Sequence, residues 1–240
     1  MFKEALQDLY HIIIKNIKKY SKPILVILIY FLYQGNFLIS IGNLLGFNIR
    51  ELDKTLRIFF LVLNDLIYII ALLLIFKNDI KSGIKDLKEN FNKRLTISLN
   101  CWMIGCLIMA TSSFIIGLIL NKEVSGNEQL VRESIKLAPF YMLFSCSIVA
   151  PIFEEMVFRK ALNMLIKPKW IFILVSGLGF GLLHILGSYT SILDFLYIIP
   201  YGAIGTAFAY LLTKTKNITL PIIIHMIHNT ILVLAQIIRR

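Results

Sequence analysis

Two adjacent glutamates and an arginine stand in the middle of an apolar stretch of this chain. The segment reads Pro151-Ile-Phe-Glu-Glu-Met-Val-Phe-Arg159. A carboxylate at the centre of a bilayer costs at least about 3 kcal/mol, so a pair of them there requires a reason. Glu155 and Arg159 have the i, i+4 spacing of an intrahelical ion pair, whereas neighbouring residues point about 100° apart. Glu154 is therefore left without a partner on its own helix. It is a candidate general base unless it pairs with another helix.

Histidines and an asparagine occur in two later apolar stretches. His184 follows Phe180 by four residues, and His225, His228 and Asn229 lie together further on. His225 and Asn229 are one helical turn apart, so a neutral imidazole and an amide would form a donor pair for a developing oxyanion. Histidines with a glutamate are also a zinc-binding set, and each residue alone is compatible with ordinary helix packing. Together the three segments supply a base, imidazoles and an amide, the groups that peptide-bond hydrolysis needs.

The composition places these residues in a membrane. The 240 residues are 58% hydrophobic and 16% charged with a mean hydropathy of +0.77, whereas soluble domains carry about 25% charge. Apolar runs of about 20 residues recur, long enough to cross a hydrocarbon core of about 30 Å. We predict an all-α fold in which residues 1–240 form a single membrane domain, a polytopic transmembrane helical bundle.

About seven spans are expected, preceded by an N-terminal amphipathic helix at the membrane surface. The amphipathic helix covers residues 2–19, where Phe2, Leu6, Leu9, Ile13 and Ile17 form the apolar face. The predicted spans are Ile24–Leu45, Ile58–Phe76, Leu95–Leu120, Leu137–Leu165, Trp170–Leu186, Ile192–Leu212 and Ile218–Ile238.

The net charge of +11 is attributed to the loops of this bundle rather than to nucleic-acid binding, because no nucleic-acid module is visible. With seven spans, 17 of the 25 Lys and Arg residues fall on the side of the N-terminus and 8 on the other side. The positive-inside rule then predicts a cytoplasmic N-terminus and an external C-terminus at the cell membrane.

The polar residues resemble the motifs of the CPBP family, the CAAX-protease and bacteriocin-processing membrane proteases, also called the Abi family. Its motifs are Glu-Glu-x-x-x-Arg, Phe-x-x-x-His and His-x-x-x-Asn, and all three occur here in the family's order. The motif-bearing core covers about residues 137–235, whereas nothing in the first 130 residues is diagnostic. The matching residues are Glu154, Glu155 and Arg159, then Phe180 and His184, then His225 and Asn229.

The resemblance implies an intramembrane endopeptidase and a role for each residue. Glu154 would activate a water that His184 holds, while His225 and Asn229 would stabilise the oxyanion. The motifs leave open whether a metal takes part. In a metal-dependent version, Glu154, His184 and His225 would bind a divalent ion such as zinc. The supporting residues would be Glu155, Arg159, Phe180 and, outside the motifs, His228.

The implied substrate is a membrane-associated or lipidated peptide, met within the lipid bilayer. One alternative is a non-catalytic immunity or partner protein that keeps the fold and binds a peptide or a membrane protein. A second is a transporter or proton relay, since carboxylates and histidines at membrane depth also mark those proteins. No internal repeat supports the second alternative.

Overall fold

The protein is an assembly of helices in the computed structural model, which describes residues 2–46 and 48–239. Within those two ranges every regular element is helical, which confirms the all-α prediction. Short 3-10 turns occur at Ile49–Glu51 and Ile192–Tyr197. The helices are α1 (Phe2–Gln34), α2 (Phe37–Leu44), α3 (Lys54–Ile75), α4 (Lys77–Glu89), α5 (Phe91–Leu120), α6 (Gly126–Leu137), α7 (Pro139–Leu165), α8 (Lys169–Leu186), α9 (Ile198–Thr215) and α10 (Thr219–Ile238).

Six helices among the described residues have the length and composition to cross a membrane, which confirms a polytopic bundle. They are α3, α5, α7, α8, α10, and α9 together with the turn that precedes it. Their outer faces are apolar. On α5, for example, Leu107, Phe114 and Leu118 are 69%, 68% and 68% exposed. Such faces are suited to lipid because hydrocarbon, unlike water, does not penalise them.

The first predicted span, Ile24–Leu45, is not a single helix. Asn36 adopts a left-handed backbone (φ 51°) between α1 and α2, which interrupts the helix at Gly35 and Asn36. The apolar part of α1 that ends at Gln34 is therefore only about 18 Å long at 1.5 Å per residue, short of the 30 Å core. This split explains why six helices rather than seven qualify as spans.

The chain nevertheless crosses the bundle in this region. Lys22 lies 3.6 Å from Asp79, just after the end of α3, and its ammonium sits 4.4 Å from the centre of the Phe76 ring. Since α3 traverses the bundle, its first residue, Lys54, is at the opposite end. The segment between Lys22 and Lys54 must therefore pass from one end to the other. The N-terminal half of α1 is thus at the end where α3 finishes.

The two ends of the bundle are distinct. We call the first the lysine-rich end, where Lys160 also pairs with Asp79, and Asn217 donates to the Gly83 carbonyl at 2.9 Å. At the opposite end, Lys122 pairs with Asp194 at 2.5 Å. The side chains of the predicted amphipathic face lie outside the described residues, so that feature stays a prediction. They are Phe2, Leu6, Leu9, Ile13 and Ile17.

Helices α8 and α9 approach each other closely through glycines. A Cβ added to Gly181 would lie 2.7 Å from the Ile198 carbonyl oxygen and 2.9 Å from the Gly202 nitrogen. Small residues at such positions allow two helix backbones to pack in direct contact. As a result, His184 of α8 lies directly against Tyr201 of α9.

Candidate active site

The helix that carries the two glutamates is irregular at that point. Within α7, the π-helical segments Ser145–Val149 and Glu155–Ala161 flank the α-helical turn Ala150–Glu154. Pro151 has no backbone N–H, so the regular hydrogen-bond ladder is already interrupted there. Wide turns of this kind are frequent at functional sites. Glu154 ends the regular turn and Glu155 begins the wide one, and the two carboxylates have different surroundings.

Glu155 belongs to a fully buried ionic network. Its Oε2 lies 3.1 Å from Arg159 Nε, so the ion pair predicted from the i, i+4 spacing is present, and both side chains are 0% exposed. Arg159 also donates from Nη2 to the Gly205 carbonyl at 3.2 Å, and its guanidinium lies 4.5 Å from the centre of the Phe180 ring. Glu155 Oε1 in turn accepts a hydrogen bond from His225 Nδ1 at 2.9 Å. The network thereby fixes the orientation of the His225 ring through its Nδ1.

Glu154 is less constrained. Its Oε2 is buried and accepts no hydrogen bond from any described residue, and it lies 3.7 Å from Nε2 of His225. A buried carboxylate oxygen without a donor is costly unless water or a ligand satisfies it. Its side chain lines a cavity and is 14% exposed. The carboxylate therefore stands at the cavity wall without a hydrogen-bond partner on Oε2 among the described residues.

The tautomer of His184 follows from its partner. Nδ1 lies 2.9 Å from the carbonyl oxygen of Phe180, which can only accept, so Nδ1 carries the proton. In the neutral ring Nε2 is then an acceptor. The imidazole is stacked on Tyr201 with ring centres 4.6 Å apart and an angle of 21° between the planes. The Tyr201 hydroxyl is held by Ser125 Oγ at 2.6 Å, at the start of α6.

Asn229 connects α10 to the first wide turn of α7. Its Nδ2 donates to the Cys146 carbonyl at 2.9 Å. An amide nitrogen carries two hydrogens, so one remains for another acceptor. His228, the neighbouring residue, accepts a hydrogen bond from Trp102 Nε1 at 3.2 Å.

One cavity of about 460 Å³ collects the predicted catalytic side chains. Glu154, His184, His225 and Asn229 line it, as do Phe180 and His228, whereas Glu155 and Arg159 lie outside its wall. The cavity extends towards the opposite end of the bundle, where its lining includes Glu123, Glu128 and Arg132.

Two residues that position the site were not predicted from the sequence. Tyr201 fixes His184 by stacking, and Trp102 fixes His228 by a hydrogen bond. The available signal was weak in both cases: a tyrosine between Pro200 and Gly202, and one of two tryptophans in the chain, each inside an apolar span.

The candidate zinc ligands are not placed around a common point. Among residues 2–46 and 48–239, no group of three His, Cys, Asp or Glu side chains is placed to hold a metal ion. Both histidines are held through Nδ1 and keep Nε2 free of hydrogen bonds to the described residues, so it is the placement of the three side chains that does not fit a metal ion. Glu154, His184 and His225 therefore do not form a metal site in this arrangement.

The class of protein defined so far is a polytopic helical membrane protein with catalytic-type side chains around one intramembrane cavity. Residues 136–231, 96 of the 240, match the family model described as Type II CAAX prenyl endopeptidase Rce1-like. This segment contains all three motifs. The resemblance to the CPBP family of membrane proteases, predicted from those motifs, is confirmed for it.

Two curated relatives are similar to part of the chain. "Putative membrane peptidase YdiL" of Bacillus subtilis is 34% identical over 116 residues, which cover 47% of this chain and 44% of the relative. "Membrane-embedded CAAX protease MroQ" of Staphylococcus aureus is 31% identical over 150 residues, covering 56% and 57% respectively. The chain thus spans about half the length of the curated relatives it matches. No solved structure gives a significant match.

Proposed function

We propose that this protein is an intramembrane endopeptidase that hydrolyses a peptide bond in a membrane-associated or lipidated peptide by means of a glutamate-activated water. The observation that supports this most directly is that Glu154, whose Oε2 has no hydrogen-bond partner among the described residues, lines the same cavity as His184. A carboxylate oxygen and an imidazole Nε2 are both acceptors, so together they can take both hydrogens of one water molecule. The water oxygen is then left with its lone pairs towards the substrate.

The residues of this cavity can carry out each proton transfer of the proposed hydrolysis. Glu154 takes one proton from the water as its oxygen bonds to the carbonyl carbon, which produces a tetrahedral oxyanion. The remaining N–H of Asn229 donates to that oxyanion. As the C–N bond breaks, Glu154 returns the proton to the leaving nitrogen. The products are a carboxylic acid and an amine, which become a carboxylate and an ammonium by exchange of one proton, and Glu154 is again ionised.

His225 has a narrower role than the neutral donor expected from sequence. Its Nδ1–H is committed to Glu155, so it can donate to an oxyanion from Nε2 only when the ring carries both protons. Glu154 Oε2 and Glu155 Oε1 lie 3.7 Å and 2.9 Å from the two nitrogens of the ring. In the proposal His225 joins Asn229 as a donor only in turnovers in which its ring carries both protons.

The test is cleavage of defined peptides by the purified protein in liposomes. A farnesylated peptide with a CAAX terminus, its unmodified counterpart and an apolar membrane-spanning peptide should be offered with and without EDTA. Cleavage that persists in EDTA supports the proposal, whereas loss in EDTA and rescue by zinc would require the metal-dependent version. If no peptide is cut and protection against a peptide toxin survives Glu154→Ala, the non-catalytic immunity protein is the better account.

We propose that stacking on Tyr201 holds His184 in place. Two substitutions distinguish the contribution of the Tyr201 ring from that of its hydroxyl. Tyr201→Phe keeps the ring and is expected to lower the cleavage rate less than about tenfold, the effect of one hydrogen bond. Tyr201→Ala removes the ring and is expected to cost about 100-fold, because displacement of a catalytic group by about 1 Å has that effect. Rates for the peptide that the wild type cuts provide the measurement. Equal losses for both variants would contradict the stacking role.

We further propose that the lysine-rich end faces the cytoplasm, with the N-terminus on that side, so that the cavity is reached from the outer face. In a variant whose three native cysteines are alanine, Lys81→Cys marks the lysine-rich end and Glu123→Cys marks the cavity end. Both positions are exposed. A membrane-impermeant maleimide should label the cysteine at 123 in intact cells and the one at 81 only after permeabilisation. The reverse pattern would refute this orientation.

A further inference from the structure

His228 lines the cavity but has no part in the proposed reaction. It lies in α10 between His225 and Asn229 and is 7% exposed. Its Nδ1 is bound on α5, whereas its Nε2 forms no hydrogen bond with any described residue. A histidine held on one nitrogen and unoccupied on the other, at the wall of a substrate-sized cavity, is positioned to contact a ligand.

The tautomer of His228 is determined by Trp102. The indole Nε1–H donates to Nδ1 at 3.2 Å, and an indole nitrogen can only donate. Cys106 Sγ lies 3.7 Å from the same Nδ1, where its thiol adds a weak second donor. Nδ1 therefore carries no proton, and the neutral ring has its proton on Nε2.

His228 thus differs from the other two histidines of the cavity. His184 donates from Nδ1 to a carbonyl oxygen, and His225 donates from Nδ1 to a carboxylate. The neutral ring of His184 consequently offers an Nε2 acceptor, whereas His225 donates from Nε2 only when its ring carries a second proton. Of these three cavity histidines, His228 is the one whose neutral ring offers a donor.

We propose that His228 is a substrate-binding residue whose Nε2–H donates a hydrogen bond to a backbone carbonyl oxygen of the peptide, next to the bond that is cut. This inference rests on the proposed function, since it requires a peptide in the cavity. A neutral donor suits a neutral carbonyl, which every residue of a peptide presents regardless of its side chain. Asn229 is the next residue on α10, so the two donors act on neighbouring parts of the same substrate backbone.

The first test compares a substitution of His228 that removes the hydrogen-bond donor with one that replaces it. His228→Leu removes the donor and is expected to raise KM roughly fivefold to tenfold with kcat within about twofold, the effect of one lost neutral hydrogen bond. His228→Gln places an amide N–H near the position of Nε2 and is expected to restore KM to within about twofold of the wild type. The probe is a quenched fluorescent farnesylated peptide, with its unmodified form in parallel. Lys85→Ala is the control and should leave KM unchanged, because Lys85 is 76% exposed and, among the described residues, pairs only with Glu89.

The second test reads the tautomer directly and does not need turnover. The chain has four histidines, so nitrogen-15 spectra of histidine-labelled protein can be assigned with single variants. His228 should show a proton on Nε2 alone, and Trp102→Phe should abolish that preference. In the Glu154→Gln variant, addition of the farnesylated peptide should shift the Nε2–H signal of His228.

The possible outcomes separate this inference from the proposed function. Wild-type KM in His228→Leu, with Glu154→Gln inactive, would overturn the role of His228 and leave the peptidase intact. A proton on Nδ1 of His228, or an unmoved Nε2–H signal at saturating peptide, would also overturn it. Full activity of Glu154→Gln would instead refute the glutamate mechanism.

Discussion

Glu154→Gln is expected to abolish peptide cleavage, with a loss of about a thousandfold or more in kcat. The substitution keeps the size of the side chain and removes only its capacity to accept a proton. A positioned general base contributes about 10² to 10⁴ in rate, and Glu154 would serve twice, first as base and then as acid. The measurement is the initial rate with the farnesylated peptide, at a concentration well above KM.

The same variant is expected to be at least as stable as the wild type. Glu154 Oε2 accepts no hydrogen bond from the described residues, so an amide there breaks no observed hydrogen bond. Removing a carboxylate at membrane depth also removes a desolvation cost. An unfolding temperature in detergent equal to or above that of the wild type, with activity lost, would show that the defect is chemical. Cleavage at the wild-type rate would mean that another group takes the proton.

Sequence spacing predicted the parts of the site that lie on one helix. The Glu155–Arg159 pair follows from i, i+4 geometry, and His225 and Asn229 share a face for the same reason. Glu154 and His184 were found because charged and polar residues are rare in apolar spans. These signals lie within short stretches of the sequence, so they can be recognised without knowledge of how the helices pack.

Contacts between helices could not be predicted from spacing along the sequence. The Trp102–His228 and Ser125–Tyr201 bonds join residues 126 and 76 positions apart, and only the packing of the bundle brings them together. The tautomers of His225 and His228 depend on Glu155 and Trp102, which lie on other helices, so spacing along the sequence could not predict them. The interruption at Asn36 was visible as Gln34-Gly35-Asn36, but its effect on the first span depended on the backbone.

The two glutamates therefore differ in what surrounds them rather than in depth alone. Glu155 is neutralised by Arg159 and holds His225, so its charge is part of the structure. Glu154 has no arginine or lysine partner among the described residues and lies on the cavity wall, where the proposed reaction uses its charge. This division leads to opposite expectations for the two positions: loss of activity without loss of stability at Glu154, and loss of both in the Arg159 network.

Arg159→Leu is expected to destabilise the protein severely, by about 3 to 5 kcal/mol, because it leaves the Glu155 carboxylate buried without its cation. Both side chains of the pair are 0% exposed, and the guanidinium also bonds the Gly205 carbonyl and lies over Phe180. The double variant Glu155→Gln, Arg159→Leu removes both charges and should recover most of that stability. It should not recover activity, since the carboxylate that orients His225 is gone.

The measurement for the Arg159 variants is the fraction of monodisperse protein left after heating in detergent, followed by the cleavage assay. Lys85→Ala is the control: its pair with Glu89 is 76% and 59% exposed, so its loss should cost less than about 1 kcal/mol. Arg159→Lys should fall between these two, because an ammonium keeps the charge but cannot reproduce the planar contacts of the guanidinium. If Arg159→Leu were as stable as Lys85→Ala, Glu155 could not carry a buried negative charge. The Nδ1–H of His225 would then not be committed to a carboxylate, and its neutral ring could serve as the oxyanion donor.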